Sequence, residues 1–409
     1  MCDPFRHANN WLLVQDSDLI PASQGLECLT FGSNMEVDHS PLQHTIAVED
    51  EHPHVPPGIM SDLVHSISAS DVEACRQRFA DFLLQHTAYE LLPESGEVVM
   101  LDVTLPVKQA FHILHEKGIP LAPLWDSSRQ QIVGMLTASD FIIILRQLGN
   151  HGAIMSEEEL DSHTIAVWKD EKFALARHAD SSQSSSLRQL ITVGPNDSLR
   201  QVADKLLLYE VATVPVLHTS LQDGSVVQVL LLASLSDILK CTWRHFRHIP
   251  SSLPLLLQPI GALRLGTWAS EVSGEIGSRT LVKVHADAYL STALELLLQV
   301  GVSALPVVDG NGSLLDVYTR SDITALARNR AYTTIQFNEI TVAQALQIGQ
   351  GGVTPIGPRC HMCVRSNTLR DVVERLSLPG VRRVICVEAG SRYVEGMISL
   401  RDVFKFLLG

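Results

Sequence analysis

The hydrophobic and polar positions of this chain repeat one arrangement four times. Each copy begins with an amphipathic helix pattern, continues with an apolar strand and ends in a second strand that runs into a Ser/Thr-x-x-Asp turn. The closing aspartates recur at intervals of roughly 80 to 100 residues. The four copies run from Leu105 to Asp140, from Ser198 to Asp237, from Leu290 to Asp322 and from Thr368 to Asp402.

The alternation of helices and strands predicts an α/β fold made of four repeats. A lone repeat of about 60 residues buries too little apolar surface to be secure, so the repeats are expected to pack in pairs. The predicted organisation is a disordered linker or tail over residues 1–67, a first repeat over 68–149, an insertion with a helix and a Ser-rich loop over 150–187, a second repeat over 188–250, a third repeat with its lead-in over 251–330 and a fourth over 331–409.

Composition narrows the functional class. The net charge of −14 argues against a general nucleic-acid binder, because the chain has no run of Lys and Arg to offset repulsion from phosphates. The longest apolar runs are far shorter than the ~20 residues that span a bilayer, and the first residues lack the pattern of a secretory signal. Seven scattered cysteines are expected of reduced thiols. We therefore expect a soluble intracellular protein.

Catalytic and metal-binding motifs are missing from the sequence. It contains no P-loop, no H-E-x-x-H, no G-x-S-x-G and no kinase signature set. Cys360 and Cys363 have C-x-x-C spacing, but no second pair completes a zinc site. His112 and His115 share a helix face with no third ligand spaced nearby. The sequence thus predicts a protein that is not an enzyme and has no metal site.

Several segments carry a resemblance to a known family. They are His86–Gly96, Ala122–Asp126, Val302–Asp309, Ser321–Leu326 and Val394–Leu400. Together with the repeat they resemble the CBS domain (cystathionine-β-synthase motif), of which two copies form a Bateman module. Four copies resemble the gamma-type regulatory subunit of AMP-activated and sucrose-non-fermenting-related protein kinases, especially the sucrose-non-fermenting-4-like, plant beta-gamma type. The resemblance covers roughly residues 68–409 and implies two Bateman modules in a flattened, pseudo-symmetric disc.

The resemblance also implies a function. It indicates a non-catalytic regulatory and scaffolding subunit of a heterotrimeric serine/threonine kinase in energy or sugar signalling, with a catalytic alpha subunit and a beta-type subunit as partners. It implies that no cofactor is required and that AMP, ADP or ATP serves as a regulatory ligand. It also implies a location in the cytoplasm and the nucleus. Plant beta-gamma members carry a carbohydrate-binding module ahead of the repeats, and the turn-rich first 65 residues are not expected to hold one intact.

In the family, the aspartate of each Ser/Thr-x-x-Asp turn holds the ribose of a nucleotide, since a carboxylate can accept two hydrogen bonds from a cis-diol. An equally simple interpretation is helix capping, in which an early carboxylate offsets the helix dipole. The sequence leaves both open. The candidate ribose ligands are Asp140, Asp237, Asp322 and Asp402.

Phosphate binding is expected at fewer repeats than ribose binding. The family places basic residues just before the second strand, but the first and second repeats have Pro120-Leu121 and Ala212-Thr213 there. We therefore expect adenine nucleotide at one or two sites at most, around Lys240, Arg382, Arg383 and Asp402. The candidate phosphate ligands are Lys240, Arg382, Arg383 and Ser303.

Two other functional classes stay open at this point. One is a stand-alone sensor of adenosyl ligands that acts on an effector other than a kinase. The other is a structural platform whose ligand sites have decayed. Co-purification with a kinase and titration with nucleotide would separate the three interpretations.

Overall fold

A computed structural model describes residues 11–15, 67–93, 97–149, 162–170, 172, 190–219, 227–249, 253–270, 280–330, 337–350 and 359–409 of the chain. All of these residues belong to one of the two units into which the chain divides. The predicted Ser-rich loop and the predicted start of the insertion helix, near Ser156, lie outside the described residues.

The first half of the described chain contains two repeats. Ahead of them come β1 (Trp11–Val14) and α1 (Ala69–Gln85). The first repeat consists of β2 (Val98–Asp102), α2 (Val107–Glu116), β3 (Leu121–Asp126), β4 (Gln131–Thr137) and α3 (Ala138–Gly149). The second consists of α4 (Leu199–Leu208), β5 (Thr213–Thr219), β6 (Val227–Ser234) and α5 (Leu235–Phe246), with a parallel bridge between Val193 and Val216 in place of a first strand.

The second half repeats the same succession. The third repeat consists of β8 (Val284–His285), α6 (Leu290–Gln299), β9 (Ala304–Val308), β10 (Leu314–Thr319) and the 3-10 helix Arg320–Arg330, preceded by β7 (Thr267–Trp268) and followed by α7 (Val342–Gln350). The fourth consists of β11 (Met362–Cys363), α8 (Leu369–Leu376), β12 (Arg383–Val387), β13 (Val394–Ser399) and α9 (Leu400–Leu408).

Connection length explains how the strands of each repeat pair. The last two strands of each repeat pair antiparallel, and in the third repeat a short turn joins β9 to β10. The first strand and the second are joined through a helix and pair parallel, as β8 does with β9. A turn at Asp309–Gly312 joins β9 to β10, and Gly312 in it adopts a left-handed φ of 78°. The four-repeat α/β fold class is thus confirmed.

Two short strands extend the sheets at their edges. β1 pairs in parallel with β2, with Trp11 opposite Val98, and Val14 is buried in the core. The prediction of a disordered linker or tail over residues 1–67 is therefore wrong for Trp11–Val14. A run of four residues is too short to show a hydrophobic period, so the sequence did not indicate this strand. β7 extends the fourth repeat in the same way, by pairing antiparallel with β13.

The segment that precedes each repeat in the chain packs on the other repeat of its half, so that repeats one and two exchange these segments and repeats three and four do the same. α1 precedes the first repeat but packs on the second, where the main-chain N–H of Leu199 donates to the carbonyl of His86 at 2.8 Å. Residues 162–170 precede the second repeat but contact the first, where Ile165 N–H donates to Leu105 at 2.9 Å. Likewise 253–262 packs on the fourth repeat and 337–350 on the third. The predicted boundaries, which follow chain order, therefore differ from the packing units.

Apolar faces of the helices form two cores that each join repeats from different halves. One joins the first and third repeats and includes the largest fully buried side chains of that part, Tyr318 and Phe141. The other joins the second and fourth and includes Phe404 and Phe79, whose ring centroids are 5.8 Å apart. A smaller cluster, with Leu314 and Val394, packs the sheets of repeats three and four together. Each fully buried side chain of this size contributes roughly 1.5–3 kcal/mol relative to exposure.

Candidate functional site

The four Ser/Thr-x-x-Asp turns have the same local geometry. In each, the Oδ2 atom of the aspartate accepts a hydrogen bond from the main-chain N–H of the Ser or Thr three residues earlier. The N···O distances are 2.9 Å for Asp140, 3.1 Å for Asp237, 2.7 Å for Asp322 and 2.8 Å for Asp402. The Ser or Thr hydroxyl also donates to Oδ2. The carboxylate half of a capping box is therefore present in all four turns, and the reciprocal bond from the Asp main-chain N–H to the Ser hydroxyl is present for Asp237 and Asp402. These bonds engage only one of the two carboxylate oxygens.

In the first repeat the remaining oxygen is bound by a cation of the same chain, and a second cation contacts Oδ2. Lys172 Nζ lies 2.6 Å from Oδ1 of Asp140, and Lys169 Nζ lies 3.3 Å from Oδ2. Lys169 also donates to the carbonyl of Met135 at 2.7 Å. Burial alone would raise the pKa of the Asp140 carboxyl, but the two ammonium groups outweigh burial and lower it. The predicted ribose ligand Asp140 is thus closed by an ion-pair cluster in this structure.

The third repeat is closed in a similar way. Arg359 donates to Oδ1 of Asp322 at 3.0 Å, and it also contacts Asp316 at 3.3 Å and the carbonyl of Val317 at 3.3 Å. Burial lowers the pKa of Arg359, but the two carboxylates outweigh burial and raise it, so the guanidinium is charged throughout the physiological range. Both oxygens of Asp322 are therefore engaged.

The second and fourth repeats differ. Asp237 has Lys240 at 3.9 Å, beyond hydrogen-bond distance, and the side chains are 33% and 34% exposed. Asp402 is half-buried, and within the described part of the chain it forms no ion pair. In both repeats Oδ1 accepts no hydrogen bond from a described residue. These two carboxylates keep the oxygen that a ribose hydroxyl would need.

Arg382 and Arg383, at the start of β12, interact with different repeats. Arg382 is exposed, and the charge of Asp237 of the second repeat favours its cationic form although the two side chains form no ion pair. Burial and the adjacent Arg382 lower the pKa of Arg383 to about 10, while Asp322 of the third repeat works against this shift. Arg383 also donates to Ser303 Oγ at 3.2 Å. Both guanidinium groups stay cationic at neutral pH.

This distribution differs from the predicted grouping. We expected Lys240, Arg382, Arg383 and Asp402 to form one site. Lys240 lies 3.9 Å from Asp237, and Arg382 interacts with the charge of Asp237 without forming an ion pair with it. Arg383 instead donates to Ser303 of the third repeat. The reason is that the cations of one repeat reach across an interface to the turn of another, a relationship that spacing along the chain does not encode.

A further ion pair crosses between the second and fourth repeats. Arg401, the neighbour of Asp402, lies 2.9 Å from Glu210. Glu210 adopts a left-handed φ of 53°, uncommon for a residue other than glycine. Since both side chains are partly exposed, this pair is worth at most about 1 kcal/mol.

The second repeat therefore offers the most complete arrangement for a phosphorylated nucleoside. The open oxygen of Asp237 can accept hydrogen bonds from a cis-diol, and Lys240 and Arg382 can bind phosphate oxygens. Sequence analysis singled out all three residues, but it missed Lys169, Lys172 and Arg359 as partners of the other aspartates. The only available signal for the lysines was their i, i+3 spacing in the segment after the first repeat.

The thiols form no metal site in the described residues, which contain no group of three or more His, Cys, Asp or Glu side chains placed to hold an ion. Cys360 is half-buried beside Asp316, and burial together with that carboxylate raises its pKa to about 12. Cys363 is buried and pairs in register with Cys386 on the neighbouring parallel strand.

A depression of about 310 Å³ lies at the opposite end of β12 from Arg383, and its lining includes Met362, Val387, Gly390 and Arg392. It brings together none of the predicted site residues. In the part of the chain that the structure describes, no helix is both long and apolar enough to cross a membrane.

Comparisons with known proteins agree with this architecture. Residues 93–147, 272–329 and 358–409 match the sequence model of the CBS domain family. The second repeat is not among these matches, although it has the same succession of elements.

Curated relatives include the 5'-AMP-activated protein kinase subunit gamma of Dictyostelium discoideum, 33% identical over 342 residues, which cover 82% of this chain and 54% of the relative. The gamma-3 subunit of Bos taurus is 28% identical over 335 residues, which cover 81% of this chain and 60% of the relative. The chain thus spans little more than half the length of these relatives. A crystal structure of a Methanocaldococcus jannaschii protein aligns with a TM-score of 0.48 and 15% identity, covering 78% of this chain and 98% of that one.

Proposed function

Because the chain carries CBS domains and resembles the gamma subunits of AMP-activated protein kinase, we propose that it is a non-catalytic regulatory subunit of a heterotrimeric serine/threonine kinase. It would bind a catalytic alpha-type subunit and a beta-type subunit, and its flattened arrangement of two Bateman modules would serve as their scaffold. Its signalling context would be cellular energy or sugar status. We propose that it acts in the cytoplasm and also in the nucleus, which microscopy of the tagged full chain would test.

The regulatory ligand we propose is an adenine nucleotide bound at the second repeat. The observation that carries this proposal is the open oxygen of Asp237 with Lys240 at 3.9 Å. Arg382 of the fourth repeat, which interacts with the charge of Asp237, would supply a second cation. Each charge-assisted hydrogen bond to phosphate contributes roughly 1.5–3 kcal/mol, so this pair can support binding by itself. No cofactor is required in this proposal.

Regulation would follow from the position of this site between the second and fourth repeats. A ligand shifts a conformational equilibrium only by its difference in affinity for the two arrangements. A phosphate held by Lys240 of one repeat and Arg382 of the other favours the arrangement in which the two repeats are close. That preference is the means by which nucleotide would reach a kinase subunit docked on the chain.

Two experiments test the proposal. The intact chain is used to capture partners from lysate, and the eluate is assayed for serine/threonine kinase activity. Separately, calorimetry measures the binding of AMP, ADP and ATP to the purified chain and to Asp237→Asn. Asp204→Asn is the matched control, because among the described residues Asp204 pairs with Arg200 alone, on the exposed face of α4. We expect Asp237→Asn to weaken binding at least tenfold and Asp204→Asn to leave it unchanged.

The outcomes separate this proposal from its alternatives. Nucleotide binding without captured kinase activity would favour a stand-alone sensor of adenosyl ligands. Captured kinase activity without any heat of binding at millimolar nucleotide would favour a structural platform with decayed sites. The absence of both captured kinase activity and nucleotide binding would contradict the proposal as a whole.

A further inference from the structure

The four aspartates divide into two classes by the state of a single atom. Capping occupies Oδ2 in every repeat, so Oδ1 is the atom left to accept a ligand hydroxyl. In the first and third repeats Oδ1 accepts from Lys172 at 2.6 Å and from Arg359 at 3.0 Å. In the second and fourth repeats it accepts no hydrogen bond from any described residue.

The third repeat is complete apart from this one atom. Arg383 and Ser303, hydrogen-bonded to each other at 3.2 Å, supply a cation and a hydroxyl there, and the charge of Arg383 interacts with Asp322. Arg359 sits on the carboxylate that a ribose would need. It is anchored by Asp316 and by the carbonyl of Val317, so it is held in place and is not a loose surface cation.

In the first repeat the aspartate is more deeply buried and is paired with more cations than in the third. The Asp140 side chain is 2% exposed, and two lysines share it. In both repeats the closing cation comes from the connecting segment just after the repeat, 32 residues beyond Asp140 and 37 beyond Asp322. The same device thus appears at corresponding places in the two halves of the chain.

We propose that Arg359 and Lys172 determine which repeats can take an adenine nucleotide, because each occupies the carboxylate oxygen that would otherwise bind ribose. In repeats one and three a side chain of this protein occupies Oδ1 of the aspartate. In repeat two Oδ1 is unoccupied by any described residue, and removal of Arg359 frees Oδ1 in repeat three. This inference rests on the proposed binding of adenine nucleotide and extends it by assigning residues that set occupancy. The competition is direct, since a guanidinium and a ribose diol cannot both donate to one oxygen in the same direction.

The test counts AMP sites by calorimetry on the full chain. The variants are Asp322→Asn, Arg359→Gln and the double variant Asp322→Asn/Arg359→Gln. Arg365→Gln is the control, because Arg365 lies close in sequence, is 50% exposed and, among the described residues, forms an ion pair with Glu395 alone, at 4.0 Å. Thermal unfolding of each variant establishes that it is folded before titration.

We expect Asp322→Asn and Arg365→Gln to leave the number of AMP sites unchanged. Arg359→Gln should add one site, and the double variant should lose that added site. The inference is overturned when Asp322→Asn alone removes a site from the otherwise unaltered chain, a result that does not depend on the folding of Arg359→Gln. It is equally overturned when folded Arg359→Gln gains no site, including the case in which neither protein binds AMP.

The first repeat supplies an independent comparison. Asp140→Asn should leave the AMP stoichiometry unchanged, whereas Asp237→Asn should remove a site. A loss of stoichiometry in Asp140→Asn would contradict the inference. Kinase capture from lysate separates this result from the wider proposal. If kinase activity is captured but Asp322→Asn loses an AMP site, only the role of Arg359 is refuted. If the AMP sites change as expected but no kinase activity is captured, only the kinase assignment is refuted.

Discussion

The cluster of Asp140, Lys169 and Lys172 should be the most stability-critical ion pair in the described part of the chain. We predict that Asp140→Asn lowers the free energy of unfolding by about 3 kcal/mol, because removal of one partner of a buried ion pair typically costs about 3–5 kcal/mol. The lower end applies because the Lys172 side chain is 39% exposed and can turn into water. Lys169, at 19% exposed, has less freedom to do so.

The effect of the lysine is smaller. Lys172→Met leaves Asp140 with Lys169 at 3.3 Å and with the hydrogen bonds from Thr137, so we expect a loss of about 1.5 kcal/mol. The two changes act on one cluster and should not be additive. We expect a coupling energy of about 1–2 kcal/mol between them, within the range found for residues in contact.

Urea denaturation of the wild type, both single variants and the double variant measures this coupling. The control cycle uses Asp237→Asn and Lys240→Met, which alter a pair of the same residue types at 3.9 Å with both side chains about one-third exposed. The coupling there should stay below about 0.5 kcal/mol. A coupling between Asp140 and Lys172 no larger than that of the control pair would refute the reasoning.

The same cluster predicts a dependence on pH. The pKa of Asp140 is lowered in the folded chain, so its contribution is fully present above the unfolded pKa of about 3.9 and is lost as the pH falls through the lower folded pKa. The stability difference between wild type and Asp140→Asn should therefore be constant from about pH 5 to 7 and shrink below about pH 4. A difference that grows on acidification would contradict the direction of the shift.

Three further predictions follow from single sites. Gly312→Ala should destabilise the chain by at least 1 kcal/mol in thermal or urea denaturation, because φ is 78° and a Cβ would lie 2.5 Å from the ring of Tyr393; a neutral effect would contradict this. Arg382→Gln should weaken AMP binding about tenfold or more by calorimetry, and equal affinity would exclude it from the phosphate site. Cys360, whose pKa is raised to about 12, should react with iodoacetamide at pH 8 far more slowly in the folded chain than in urea, as measured by peptide mass spectrometry; equal rates would show that burial and Asp316 do not suppress the thiolate.

Much of the fold could be predicted because it depends on local pattern. The amphipathic period of α8 and the antiparallel pair β12 and β13 are encoded within a few consecutive residues, as is the capping box of Ser399 and Asp402. β1 was missed because four residues are too few to show a period, and its partner, β2, lies more than 80 residues away. The exchange of lead-in segments was missed for the same reason.

The residues of the candidate site were likewise predictable from the sequence, whereas their tertiary contacts were not. The four aspartates and the cations Lys240, Arg382 and Arg383 were identified by residue type and position in the repeat. Their partners were not, because Arg383 donates to Ser303 of the third repeat and Arg382 interacts with the charge of Asp237 in the second. A spacing rule within one repeat cannot report which neighbouring repeat a side chain reaches.

By itself the sequence determined that the chain has four α/β repeats, each ending in a capped aspartate, because periodicity and capping act over a few adjacent residues. Only the tertiary structure decided which of those aspartates stay open. The deciding atoms are Oδ1 of each carboxylate and cations that lie 32 and 37 residues further along the chain in two of the repeats. Interactions over such separations depend on how the connecting segments pack, and the pattern of any one repeat carries no information about that packing.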